Sequence, residues 1–141
     1  MLRQSAPPSG RLNVCQRVMR QWNELHPYNA VHAYRLAGPL DLPRLQRAIV
    51  DTYSHNGLGL VEIAPDGRSF HYETDDSAAV EVLDGAPDAE SHLADHLARE
   101  LNRPFPQSRY CPLRFSVIPS GRAAHYLAVT YLNFRRFSDG F

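Results

Sequence analysis

An α/β fold, built as a two-layer sandwich of helices on sheet, is what this sequence predicts, and three patterns predict it. Segments with apolar residues every three or four positions alternate with short β-rich runs. Clusters of Gly, Pro, Asp and Asn punctuate the boundaries between them. The helical segments are long enough to cover a sheet, and 141 residues suffice for one domain with its own core.

The first eleven residues hold two prolines, a glycine and no apolar run, so residues 1–11 read as a loose leader and 12–141 as the folded unit. Leu12, Cys15, Val18, Met19, Trp22 and Leu25 recur at helical spacing, as one stripe that would face the core, and Pro27 ends that helix. Residues 30–36 read as a strand broken by Gly38-Pro39. Asp41 is placed to cap the next helix, because its carboxylate accepts from unpaired first-turn amides. Leu42, Leu45, Ala48, Ile49 and Tyr53 line that helix, and His55-Asn56-Gly57 closes it.

Residues 58–64 and 69–74 predict a hairpin around Pro65-Asp66-Gly67-Arg68, where glycine accepts positive φ. Residues 80–83 give a further short strand. Residues 88–102 give a helix with Leu93, Leu97 and Leu101 at four-residue spacing, stopped by Pro104 and Pro106. Residues 113–118 and 124–132 form a second hairpin around Pro119-Ser120-Gly121-Arg122. In its last strand both faces are mostly apolar, Leu127, Val129 and Tyr131 on one and Tyr126, Ala128, Thr130 and Leu132 on the other. That strand belongs in the interior of a sheet.

Fifteen basic and fifteen acidic residues balance, which excludes a broad electrostatic footprint for nucleic acid or anionic lipid. No run reaches membrane-spanning length, and the N-terminus has no signal core, so the expected setting is cytoplasmic. Cys15 and Cys111 fit no metal spacing, and Cys15 is expected in the core. His92 and His96 share a helix face but lack a third ligand, so they are read as solvated or half-buried, and no metal site is assigned. His26, His32, His55 and His71 carry no assignment. Ser138 lacks the surroundings of a nucleophile elbow. Trp22, Tyr28, Tyr34, Tyr53, Phe70 and Tyr72 are read as core aromatics, and residues 73–76 as a solvated acidic loop.

The chain closes on Phe134-Arg135-Arg136-Phe137-Ser138-Asp139-Gly140-Phe141 after the β-rich run. This resembles the His-His-x-x-x-Asp-Gly motif of the condensation-domain and CoA-dependent acyltransferase superfamily, with its chloramphenicol acetyltransferase-like fold. Asp139 and Gly140 match the end of the motif, while Phe134 and Arg135 stand where its two histidines belong. Further matches run in order along the chain: the opening helix, Pro27-Tyr28-Asn29, Gly38-Pro39-Leu40-Asp41, Asn102-Arg103-Pro104-Phe105 and Pro112-Leu113-Arg114-Phe115.

The resemblance implies the N-terminal lobe of a two-lobed fold, with the second lobe outside this chain. It implies acyl transfer from a CoA or phosphopantetheinyl carrier thioester to an amine or hydroxyl, without a bound cofactor. An acyl-carrier protein or a complementary second lobe would be the partner. Arg135 holds the catalytic position, and Phe134, Asp139 and Gly140 are motif-structural. Arg135 cannot act as the base, since its guanidinium stays charged and only donates. Three readings stay open for Arg135 and Arg136: a solvated pair neutralising Asp139, a contact for an anionic substrate or partner, and an unusual acyl-transfer site. Asp139-Gly140 also reads as an ordinary turn. His125 cannot supply the base, because an extended strand puts it roughly 40 Å or more from Asp139. For the whole chain, an acyltransferase stands beside a non-catalytic binding descendant and a remnant without function.

Overall fold

A computed structural model describes residues 9–56, 58–73 and 79–132. The elements run β1 (Ser9–Arg11), α1 (Val14–Leu25), β2 (Asn29–Ala37), α2 (Leu42–Asn56), β3 (Leu60–Ile63), β4 (Ser69–Glu73), β5 (Val80–Val82), α3 (Ala89–Asn102), β6 (Arg109–Tyr110), β7 (Leu113–Pro119) and β8 (Ala124–Leu132). The strands form two four-stranded sheets, β1-β4-β3-β6 and β2-β8-β7-β5. The fold is mixed α/β, as the element pattern predicts.

The predicted punctuation is where the backbone turns. Gly67 (φ 65°) and Gly121 (φ 74°) take the left-handed conformation at the two hairpin turns. The Asp41 carboxylate accepts from the Arg44 amide at 3.0 Å, and the Asp88 carboxylate from the Ser91 amide at 3.0 Å. A reciprocal capping box starts α1: Asn13 accepts from the Gln16 amide at 2.8 Å, and the Asn13 amide donates to the Gln16 side chain at 2.9 Å.

β8 lies inside its sheet. It pairs antiparallel with β2 from Asn29↔Leu132 to Ala37↔Ala124, and with β7 from Leu113↔Tyr131 to Pro119↔His125. β5 joins the far side of β7 in parallel, after which α3 crosses over. Ile118, Tyr126 and Ala128 pack under Leu83, Ala89, Leu93 and Leu97. The second core belongs to the other sheet, with Val61, Ile63, Tyr72 and Tyr110 joined by Leu12, Phe105 and Leu132. Leu132 therefore ties the end of β8 to the opposite sheet.

Several expectations are corrected. Residues 9–11 of the expected leader form β1, paired to β4 through Gly10↔Phe70. The apolar stripe faces the core only in part: Leu12, just ahead of α1, is buried and Met19 packs against the core, but Val18, Trp22 and Leu25 are 53–73% exposed, and Cys15 is exposed as well. Within the helix the inward contacts are Met19 and buried Asn23. Asn23 is inside because its side chain accepts from the Tyr28 amide at 3.1 Å, fixing the turn from α1 into β2. Tyr28 and Tyr34 are exposed too, while Tyr53 and Tyr72 are buried as expected. Leu101 is exposed, and the α3 face that packs inward carries His96 and Glu100, so His96 is buried rather than solvated. The closure of α2 at Gly57 and most of the acidic loop, residues 74–76, lie outside the described residues.

Leu25→Ser should therefore change unfolding free energy by less than about 0.5 kcal/mol, whereas Ile118→Ala should cost about 2–5 kcal/mol. Urea denaturation of the two variants checks this, and a Leu25→Ser cost as large as that of Ile118→Ala would mean that the α1 stripe is covered.

Candidate functional site

The residues singled out from the motif, Phe134, Arg135, Asp139 and Gly140, lie outside the described residues, as do Arg136 and Ser138. What the structure gives is the strand that leads to them and its surroundings. β8 ends at Leu132 opposite Asn29, and Tyr131 stands opposite Leu113. The entries to β2 and β7 thus flank the C-terminal end of β8.

Just beyond those entries is a buried polar network. The Glu100 side chain is only 4% exposed, and Arg114 of β7 donates to it from Nε at 2.6 Å. Arg103 donates to the second carboxylate oxygen at 3.2 Å. Arg114 also donates to the main-chain carbonyl of Arg103 at 3.0 Å, and its guanidinium lies over the Phe105 ring, 4.0 Å from the centroid. Asn29 Nδ2 donates to the main-chain carbonyls of Glu100 (2.8 Å) and Arg103 (2.7 Å). Carbonyls at a helix C-terminus lack intrahelical donors. Here a β7 arginine and a β2 asparagine supply them.

Burial alone would raise the pKa of Glu100, but the Arg114 hydrogen bond and charge, helped by Arg103, outweigh it and hold the carboxyl below its ordinary value. Burial pulls Arg114 down while Glu100 pushes it back up. Burial likewise lowers His96, against the pull of Glu100 and Glu81.

Beside this network opens a cleft of about 540 Å³. Tyr53, Phe105, Leu113 and Phe115 form apolar walls, and Arg103 and Arg109 stand on its rim. The Tyr53 hydroxyl and the Cys111 thiol are hydrogen-bonded at 3.1 Å. Each rim guanidinium already meets a carboxylate, Glu100 for Arg103 and Glu73 for Arg109. The cleft thus suits an apolar group, with arginine N–H groups at its edge.

Cys15 and Cys111 are both free thiols, and the structure does not bring them together. Among the described residues, the one group of three metal-type side chains does not include His92 or His96. No described helix is long and apolar enough to cross a membrane. The sequence motifs drew attention to Asn29 and Arg114 but not to Glu100. The signal for Glu100 was a carboxylate on the helix face that carries Leu93 and Leu97.

Arg114→Met leaves a buried carboxylate held by the more exposed Arg103 alone and should cost up to about 3–5 kcal/mol. The double variant Arg114→Met/Glu100→Gln should recover part of that in urea denaturation. Because the folded pKa of Glu100 is depressed, its contribution is complete above its unfolded value of about 4.3 and is lost as pH falls through the folded value. Glu100→Gln should flatten that acid limb of the stability–pH curve.

No protein-family model matches the chain, and no curated protein matches it. Solved structures do. The X-domain from teicoplanin biosynthesis superposes with a TM-score of 0.71 at 23% identity, over 95% of this chain and 29% of that one. The complex of the X-domain and OxyB from the same biosynthesis gives 0.66 at 24% identity, over 93% and 29%. The starter condensation domain of rhizomide synthetase RzmA gives 0.71 at 15% identity, over 90% and 33%. The chain has the condensation-domain fold and spans about a third or less of the length of these structures.

Proposed function

We propose that this condensation-fold chain is a non-catalytic docking lobe, which holds a partner protein rather than transferring an acyl group. The observation that carries the reading is the identity of residue 135. Where the motif it resembles has a histidine, this chain has Arg135, with Phe134 before it. A general base needs a lone pair and a pKa near working pH, and a guanidinium has neither. What it offers is a charge-assisted, two-pronged grip on a carboxylate or phosphate. The X-domain structure in complex with OxyB supports a docking role for a chain of this fold.

On this reading the partner is an enzyme of the OxyB kind or an acyl-carrier protein. A complementary second lobe of the same fold would complete the unit, and a cytoplasmic setting goes with the proposal. Acyl transfer is the second reading, favoured by the retained Asp139-Gly140. It would take an acyl-CoA or carrier-bound thioester as co-substrate and no bound cofactor. Without the base it would run about 10²–10⁴-fold below a histidine-bearing relative.

Calorimetric titration of the purified protein with OxyB, and separately with a phosphopantetheinyl carrier protein, tests the proposal. Binding of either one should weaken by roughly 1.5–3 kcal/mol in Arg135→Ala. Acyl transfer from a carrier thioester that Arg135→Ala abolishes would sink the docking reading in favour of catalysis. Affinity for both proteins unchanged by Arg135→Ala would remove Arg135 from any contact.

A further inference from the structure

On the outer face of the β1-β4-β3-β6 sheet, Glu62 of β3 stands directly opposite His71 of β4, and Glu73 follows two residues along the same strand. Side chains two apart on a strand share a face. The inward neighbours Val61, Ile63 and Tyr72 fill the core, so Glu62, His71 and Glu73 point away from it. His71 Nε2 lies 3.5 Å from Glu62 Oε2 and 3.7 Å from Glu73 Oε1. The three donor atoms all lie within 4.8 Å of one another.

A tetrahedral ion with bonds of about 2.0–2.2 Å holds neighbouring donors roughly 3.3–3.6 Å apart. The two His71 separations are already close to that spacing, so a small adjustment of exposed side chains would close the set. Imidazole with carboxylates is a donor set suited to zinc and its neighbours.

Arg109 of β6 completes the arrangement. It donates to Glu73 Oε2, the oxygen that His71 does not face. Its hydrogen bond, opposed by partial burial and reinforced by its charge, keeps the Glu73 carboxyl below its ordinary pKa. Glu62 also approaches Glu73. Two carboxylates thus flank one imidazole while one guanidinium pairs with Glu73 alone, which leaves negative charge for a cation to balance.

We propose that Glu62, His71 and Glu73 form a surface site for a divalent transition ion. Arg109 fixes the Glu73 carboxylate from outside the coordination sphere, and solvent fills the remaining position. The ion would clip β3 to β4, and it would bind only once the hairpin has formed, so occupancy would stabilise the folded chain.

Zinc is the probe. The full chain, His71→Gln and Glu62→Gln are titrated with zinc chloride in a calorimeter, and their thermal unfolding is followed with and without zinc. All three side chains are 35–48% exposed, so the variants should keep the wild-type circular dichroism spectrum. The expected result is about one more equivalent of zinc taken up by the wild type than by either variant. The expected thermal result is a zinc-dependent rise in the unfolding midpoint for the wild type alone. The other histidines of the chain contribute alike to all three proteins, so the difference isolates this face. Equal uptake by the wild type and His71→Gln, or no uptake by the wild type, would overturn the proposal.

Discussion

The buried pair between Glu100 and Arg114 is the constraint on which the rest of this structure depends. Three separate pieces of chain meet there: the last turn of α3, the start of β7 and, through Asn29, the start of β2. A carboxylate at 4% exposure is tolerable only when its lone pairs are occupied. Arg114 and Arg103 occupy both oxygens, and the same groups satisfy the open carbonyls of the helix end. The register of β7 and β2 against β8 therefore cannot slip without stranding a charge. A one-residue shift would also turn the apolar face of each strand outward.

That fixed register is what makes the end of β8 a defined place. Leu132 is anchored in the core of the opposite sheet, and Tyr131 is paired on both sides. The end of β8 at Leu132 is therefore held in one position and one direction. The scaffold alone does not select between docking and chemistry. The same scaffold superposes on an X-domain and on a starter condensation domain with equal TM-scores of 0.71.

Features governed by local chemistry were legible in the sequence. The Asp41 and Asp88 caps, the glycines of the two hairpin turns and the interior position of β8 each follow from a few adjacent residues. Features governed by distant partners were not. The apolar pattern of α1 correctly gave a helix, but which side meets the protein is decided by Asn23 and Met19, and Trp22 was left outside. The strands β1 and β6, of three and two residues, exist only because β4 and β3 offer them hydrogen bonds. The cluster of Glu62, His71 and Glu73 was hidden for the same reason, since it needs the hairpin register as well as the alternation. The motif loop itself was legible only as a resemblance.

The order of strands in the second sheet has a consequence for synthesis. Among the described strands of its sheet β8 comes last but lies between β2 and β7, so β2 lacks its described neighbour until residues 124–132 have been made. Until then the nascent polypeptide carries Tyr34 and Leu36 on a strand with both edges open, a state prone to wrong pairing. The first sheet, by contrast, can zip from the short β3–β4 turn while translation continues. Emergence from the ribosome is thus staged: the β3–β4 hairpin first, and the second sheet only when β8 is threaded into its middle.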